Sequence, residues 1–142
     1  MSATECLALA YREDVELWIE PTAAGPRLLF RAKYTLQDEL REELREHKPA
    51  VIALLQQNQR MKELGWQVLN FGELYLWSIH PKSDLIALRE EHNRFDLTRY
   101  GWSPGKPKPA YKKVVASRVE FPEMLERAQS YLQYIEKNRK EV

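Results

Sequence analysis

The sequence predicts an α+β protein: an N-terminal αββαα unit over residues 1–64, then a second α+β region over 65–142 that ends in a long amphipathic helix. Three patterns carry this prediction. Two runs alternate with the period of a strand, VELWIE at 15–20 and RLLFRAK at 27–33, around the break PTAAGP. Leu36, Leu40 and Leu44 recur every fourth residue, and Pro49 then opens a second apolar helical run. Near the C-terminus, Pro122 precedes a stripe formed by Met124, Leu125, Ala128, Tyr131, Leu132 and Ile135.

The first element is a short helix capped by Ser2 or Thr4, with Cys6, Leu7, Leu9 and Ala10 on its apolar side. In the hairpin that follows, Val15, Leu17 and Ile19 share one face with Leu28, Phe30 and Ala32. Thr35 and Asp38 have the spacing of a capping box, with Asp in place of Glu. Proline disfavours helix in the residue before it, so the Lys48-Pro49 joint ends one helix and starts another. The second helix carries Val51, Ile52, Leu54 and Leu55, and stops before Gly65.

The second half reads less regularly. GWQVLNFGELYLWSIH suggests a hairpin turning at Asn70-Phe71-Gly72. KSDLIALREEHNRF places Leu85, Leu88, His92 and Phe95 on one helical face, which predicts a helix there. The segment 98–118 is basic and rich in Pro and Gly and reads as flexible; VVASRVEF holds a strand. In the final helix, Glu123 and Glu126 sit early and Lys137, Arg139 and Lys140 late, as the helix dipole favours.

Composition narrows the function. With 22 basic and 21 acidic residues, net charge +1, global charge points to neither nucleic acid nor a membrane surface. The single cysteine, Cys6, suits a reducing compartment. No apolar run approaches the ~20 residues of a membrane span, and the N-terminus lacks the pattern of a secretory signal. A soluble cytoplasmic protein without a membrane partner is expected.

VELWIE, the Arg31-Ala32 pair closing the second strand, Leu40 and Leu44, His47-Lys48 and Val51–Leu55 follow one another in an order that resembles the TubC-type N-terminal docking domains of nonribosomal peptide synthetases and hybrid megasynthases. The resemblance covers roughly residues 3 to 57. It implies a small homodimerising αββαα module whose exposed hairpin captures a short linear segment of a partner protein. In that family the docking domain precedes a catalytic module; neither a carrier-type serine motif nor HHxxxDG occurs here.

On physical grounds too, the outward hairpin face is the best candidate site. It carries Glu16, Trp18 and Glu20 on one strand and Arg27, Leu29, Arg31 and Lys33 on the other. A Trp among charges anchors a peptide while the charges select its sequence, and a two-stranded sheet offers free edges. The same pattern also describes cross-strand ion pairs on a solvated face. Leu36, Leu40 and Leu44 suit either a dimer seam or the edge of a small core.

The alternative function is accessory nucleic-acid binding. Arg99, Lys106, Lys108, Lys112, Lys113 and Arg118 interleave with Tyr100, Trp102 and Tyr111, pairing cations for phosphates with rings for bases. Pro104, Pro107 and Pro109 equally suit an extended ligand segment.

Catalytic patterns are weak. His47, His80 and His92 lack metal-ligand spacing with Cys6, and His92 and Asp96 form at most an orienting pair on the expected helix. Glu42-Glu43 and Glu90-Glu91 read as solvent-facing charge, and GKPKP is no phosphate loop. The expectation is a non-enzymatic adaptor without cofactor or metal.

Overall fold

The structure, a computed structural model, describes residues 1–79 and 82–138; His80, Arg139 and Lys140 lie outside the described residues. The chain forms two compact units. Met1–Leu64 together with Asn70–Gly72 make the first, and Gly65–Leu69 with the residues from Glu73 onward make the second.

The first unit is αββαα. Helix α1, Ala3–Arg12, opens on a complete capping box: Ser2 Oγ accepts from the Glu5 amide, and the Ser2 amide donates to the Glu5 carboxylate. Strands β1, Val15–Thr22, and β2, Gly25–Ala32, pair antiparallel with Val15 opposite Ala32 and Trp18 opposite Leu29. The turn is tighter than the Pro/Gly break suggests. Pro21 and Pro26 are themselves paired, at the outer end of a two-stranded ladder where a missing N–H costs least. Helix α2, Asp38–Glu46, is followed by α3, Lys48–Glu63, and His47 alone separates them. The expected capping box at Thr35 does not form: α2 starts at Asp38 behind Gln37, and no side chain caps it. Cys6, Leu9, Ala10, Val15, Leu36, Leu40, Leu44 and Val51 make one aliphatic core.

The second unit is an antiparallel meander of five strands: β3 Gln67–Leu69, β4 Leu74–Ile79, β5 Ser83–Glu90, β6 Arg94–Gly101 and β7 Tyr111–Glu120, hydrogen-bonded in that order. Helix α4, Phe121–Lys137, packs on β6 and β7. The β3–β4 hairpin turns at Asn70-Phe71-Gly72, as the sequence predicts.

The helix expected over 82–95 is absent; β5 and the start of β6 occupy it. Ser83, Leu85 and Ala87 are buried on one side of β5, while Ile86 and Leu88 on the other are also apolar. That two-sided apolarity blurs the period of two and mimics a helical repeat. His92 and Asn93 turn the chain at φ of 59° and 56°, the left-handed pair that joins twisted strands tightly. His92 therefore lies in a turn, and Asp96 on β6 instead accepts from the Arg118 amide at 2.8 Å and the Ser117 hydroxyl at 3.3 Å.

Tyr75, Phe95 and Leu97 are fully buried, and Phe95 meets Tyr75 at 6.1 Å and Phe121 at 5.7 Å between centroids. Among the described residues, no helix is long and apolar enough to cross a membrane.

Candidate functional site

The inward face of the hairpin is covered unevenly. Val15 is buried and Ala32 half-buried against the helices, whereas Phe30, on the same face as both, is 50% exposed. Among the described residues the two strands pair only with each other, so both backbone edges of this sheet lack strand partners there.

On the outward face the register sets Glu16 opposite Arg31, Trp18 opposite Leu29 and Glu20 opposite Arg27. Arg31 lies 4.0 Å from the Glu16 carboxylate, and its guanidinium carbon sits 5.8 Å from the Trp18 ring centroid. Both charged groups are well exposed, so this pair adds little stability. Trp18 is half-buried rather than exposed, because Leu29 stands directly across from it and Arg31 folds over its ring. Lys33 lies just past the strand, over the exposed ring of Tyr34 at 5.7 Å.

The opposite face of the hairpin holds a feature that alternation alone does not disclose. Leu17, Leu28 and Phe30, with Leu36 and Leu44, line an open groove of about 270 Å³ whose rim carries Arg41, Arg45 and Lys48. Arg41 and Arg45 are four apart on α2, and Lys48 opens α3.

Leu36, Leu40 and Leu44, which suit either a dimer seam or a core edge by sequence, are placed in a core. They are 7%, 0% and 8% exposed and belong to the core of their own unit. So charged a helix leaves only its leucine stripe for the interior, and the unit consumes that stripe itself.

The basic aromatic segment does not form one patch. Residues 98–101 and 111–118 lie on paired strands, not on a flexible frame, and strand pairing sends neighbours to opposite faces. Arg99, Tyr111 and Lys113 fall on the face that α4 covers. Tyr100 and Lys112 fall on the other, where with Trp102 they line a cleft of about 480 Å³ that also holds Glu90 and Asp96. Trp102 donates its indole N–H to Asp84 at 2.8 Å. These carboxylates offset the cations on the face where rings and Lys112 gather. Lys106 and Lys108 occupy the exposed loop, and Arg118 sits at a left-handed position near Asp96, its φ 52°. Glu90 is held above the ordinary carboxylate range, chiefly by its hydrogen bond with Asp96.

Cys6 is fully buried, and burial, followed by the Glu43 charge, pushes its thiol up, away from a reactive thiolate. His47 Nε2 lies 3.3 Å from Glu43, and with Glu46 these residues bring three possible ligand atoms within 4.8 Å of one another. The E-x-x-E-H spacing is the signal for that grouping.

No curated protein and no solved structure matches this chain. Residues 4–57, which span α1, the hairpin, α2 and most of α3, match the TubC N-terminal docking domain.

Proposed function

We propose that the first unit docks a partner protein by capturing an extended segment of it on the β1–β2 hairpin, and that the chain acts as a non-catalytic adaptor in the cytoplasm, where the lone buried Cys6 stays reduced. The observation that carries this reading is a two-stranded sheet with both edges free, an outward face of paired charges around Trp18, and an apolar groove behind it.

A segment adding to an edge gains backbone hydrogen bonds, and its alternate side chains reach the two faces of the sheet. On one side they meet Trp18 and Leu29; on the other, Phe30 and the groove. Arg41, Arg45 and Lys48 favour a segment with acidic residues flanking its apolar anchors. The family likeness supports docking within a synthetase-type assembly. The homodimer of this reading uses surface other than the leucines at 36, 40 and 44, since these are spent inside the unit.

Affinity capture from the native host, with and without nuclease and at low and high salt, tests the docking. The expected outcome is a protein partner that survives nuclease and is lost with Trp18→Ala and with Arg31→Glu. Retention of the same partner by both variants overturns hairpin capture. Light scattering across a concentration series reads the dimer directly.

A further inference from the structure

Two like charges face each other across the β6–β7 ladder. Arg99 is paired with Lys113, an arrangement that is destabilising unless something sits between or beside the charges. Arg99 is half-buried, and taking a guanidinium out of water is costly unless an anion accompanies it. Its partners here are neutral. One Nη donates to the Tyr131 hydroxyl at 3.2 Å and the other to the Ser83 hydroxyl at 3.3 Å, while Nε is buried with no hydrogen-bond partner. The Tyr111 and Tyr131 rings lie 5.9 Å from the guanidinium carbon, and Lys113 Nζ sits 5.5 Å from the Tyr131 ring. Among the described residues, neither Arg99 nor Lys113 makes an ion pair, although Arg31, Arg94 and Arg127 each have a carboxylate.

We infer that Arg99, Lys113 and Tyr131 form a binding site for a phosphate monoester dianion. The donors suit it. Tyr131 accepts from Arg99, which leaves its own O–H to donate onward, whereas Ser83 spends its proton on the Ile79 carbonyl. Lys113 is exposed and brings three N–H donors. Two cations match a group carrying roughly −1.5 to −2 charges near neutral pH, and its several oxygens can meet the ammonium and the phenol together. A monocarboxylate would neutralise only one of the two cations. The site belongs to the second unit and is independent of the hairpin reading.

Inorganic phosphate added to the full-length protein tests this, with chloride and acetate controls at equal ionic strength. Phosphate is expected to raise Tm by roughly 5 °C near saturation, and acetate to do nothing beyond chloride. Lys113→Gln should weaken the phosphate effect about tenfold or more, the loss of one charge-assisted contact. Lys112→Gln, on the opposite face, should leave it intact. Arg99→Gln should abolish it; if that variant does not fold, Lys113→Gln decides alone. No phosphate-specific shift, or equal losses from Lys112→Gln and Lys113→Gln, overturns the site.

Discussion

The two units solve the problem of a small core differently. The first wraps short helices around aliphatic side chains and leaves its hairpin thinly covered, with Phe30 half exposed and both strand edges free. The second stacks rings, placing Tyr75, Phe95 and Phe121 between a five-stranded sheet and a 17-residue helix. Large rings bury much apolar area per residue, so the second unit tolerates a half-buried Arg99 that has no carboxylate partner among the described residues. The first spends its few apolar groups on holding the hairpin and has apolar surface left over at Phe30. The docking proposed for the first unit rests on incomplete cover, and the phosphate site proposed for the second on incomplete charge compensation.

The sharpest way to break this contrast is to truncate one ring in each unit. Phe95→Ala should cost about 3–5 kcal/mol, as full removal of a buried ring does, whereas Trp18→Ala should cost roughly 1 kcal/mol or less because its face is only half covered. Urea titration of both variants decides it. Equal losses would make Trp18 a structural residue and remove its role in recognition.

A smaller effect probes the turn that closes the first unit. Gly72 has φ of 101°, and a Cβ there would lie 2.2 Å from the Asn58 side-chain oxygen and 2.8 Å from Leu54. Gly72→Ala should therefore destabilise by about 1–3 kcal/mol through strain and overpacking, seen as a lower urea midpoint. At Gly25, also at positive φ but with open space around its Cβ position, the same change should cost less.

The smallest effect is a pH dependence confined to the second unit. The folded state raises the Glu90 carboxyl above its ordinary value of 4.5, first through its hydrogen bond with Asp96, then through burial and the Asp96 charge, with Arg118 opposing and Glu73 adding least. The folded protein then binds more protons than the unfolded chain just above that value. Stability from this group is full at lower pH and declines as pH rises through the folded pKa. Glu90→Gln, which keeps a donor toward Asp96 at every pH, should flatten that decline in urea midpoints measured from pH 4 upward. An unchanged slope would show that the two carboxyls do not share a proton.

Much of the first unit was legible because its signals are local. Alternation, the leucine spacing and Pro49 each act within a few residues, and α1, the hairpin, α2 and α3 follow from them. The β3–β4 turn and α4 were legible for the same reason. The strand at 83–90 was not, since both its faces are apolar and only long-range pairing separates them. The segment 98–118 misled in a related way: its cations and rings are neighbours in sequence and are parted by the pleat. The groove under the hairpin was illegible because it depends on where Phe30 stops being covered, a property of packing rather than of pattern.

One detail of the fold bears on how such a protein is handled and inherited. The chain leaves its first unit at Leu64, enters the second, and returns for Asn70–Gly72, where Phe71 meets the Tyr11 ring at 5.7 Å and its carbonyl accepts from the Asn58 amide at 3.0 Å. A first unit excised after residue 64 would lose those three residues and present a bare patch where they packed. The segment that matches the docking family is thus not a cassette removable at one joint. A gene fusion or domain swap that respects the fold must carry the chain past Gly72 or replace the turn with something that fills its place.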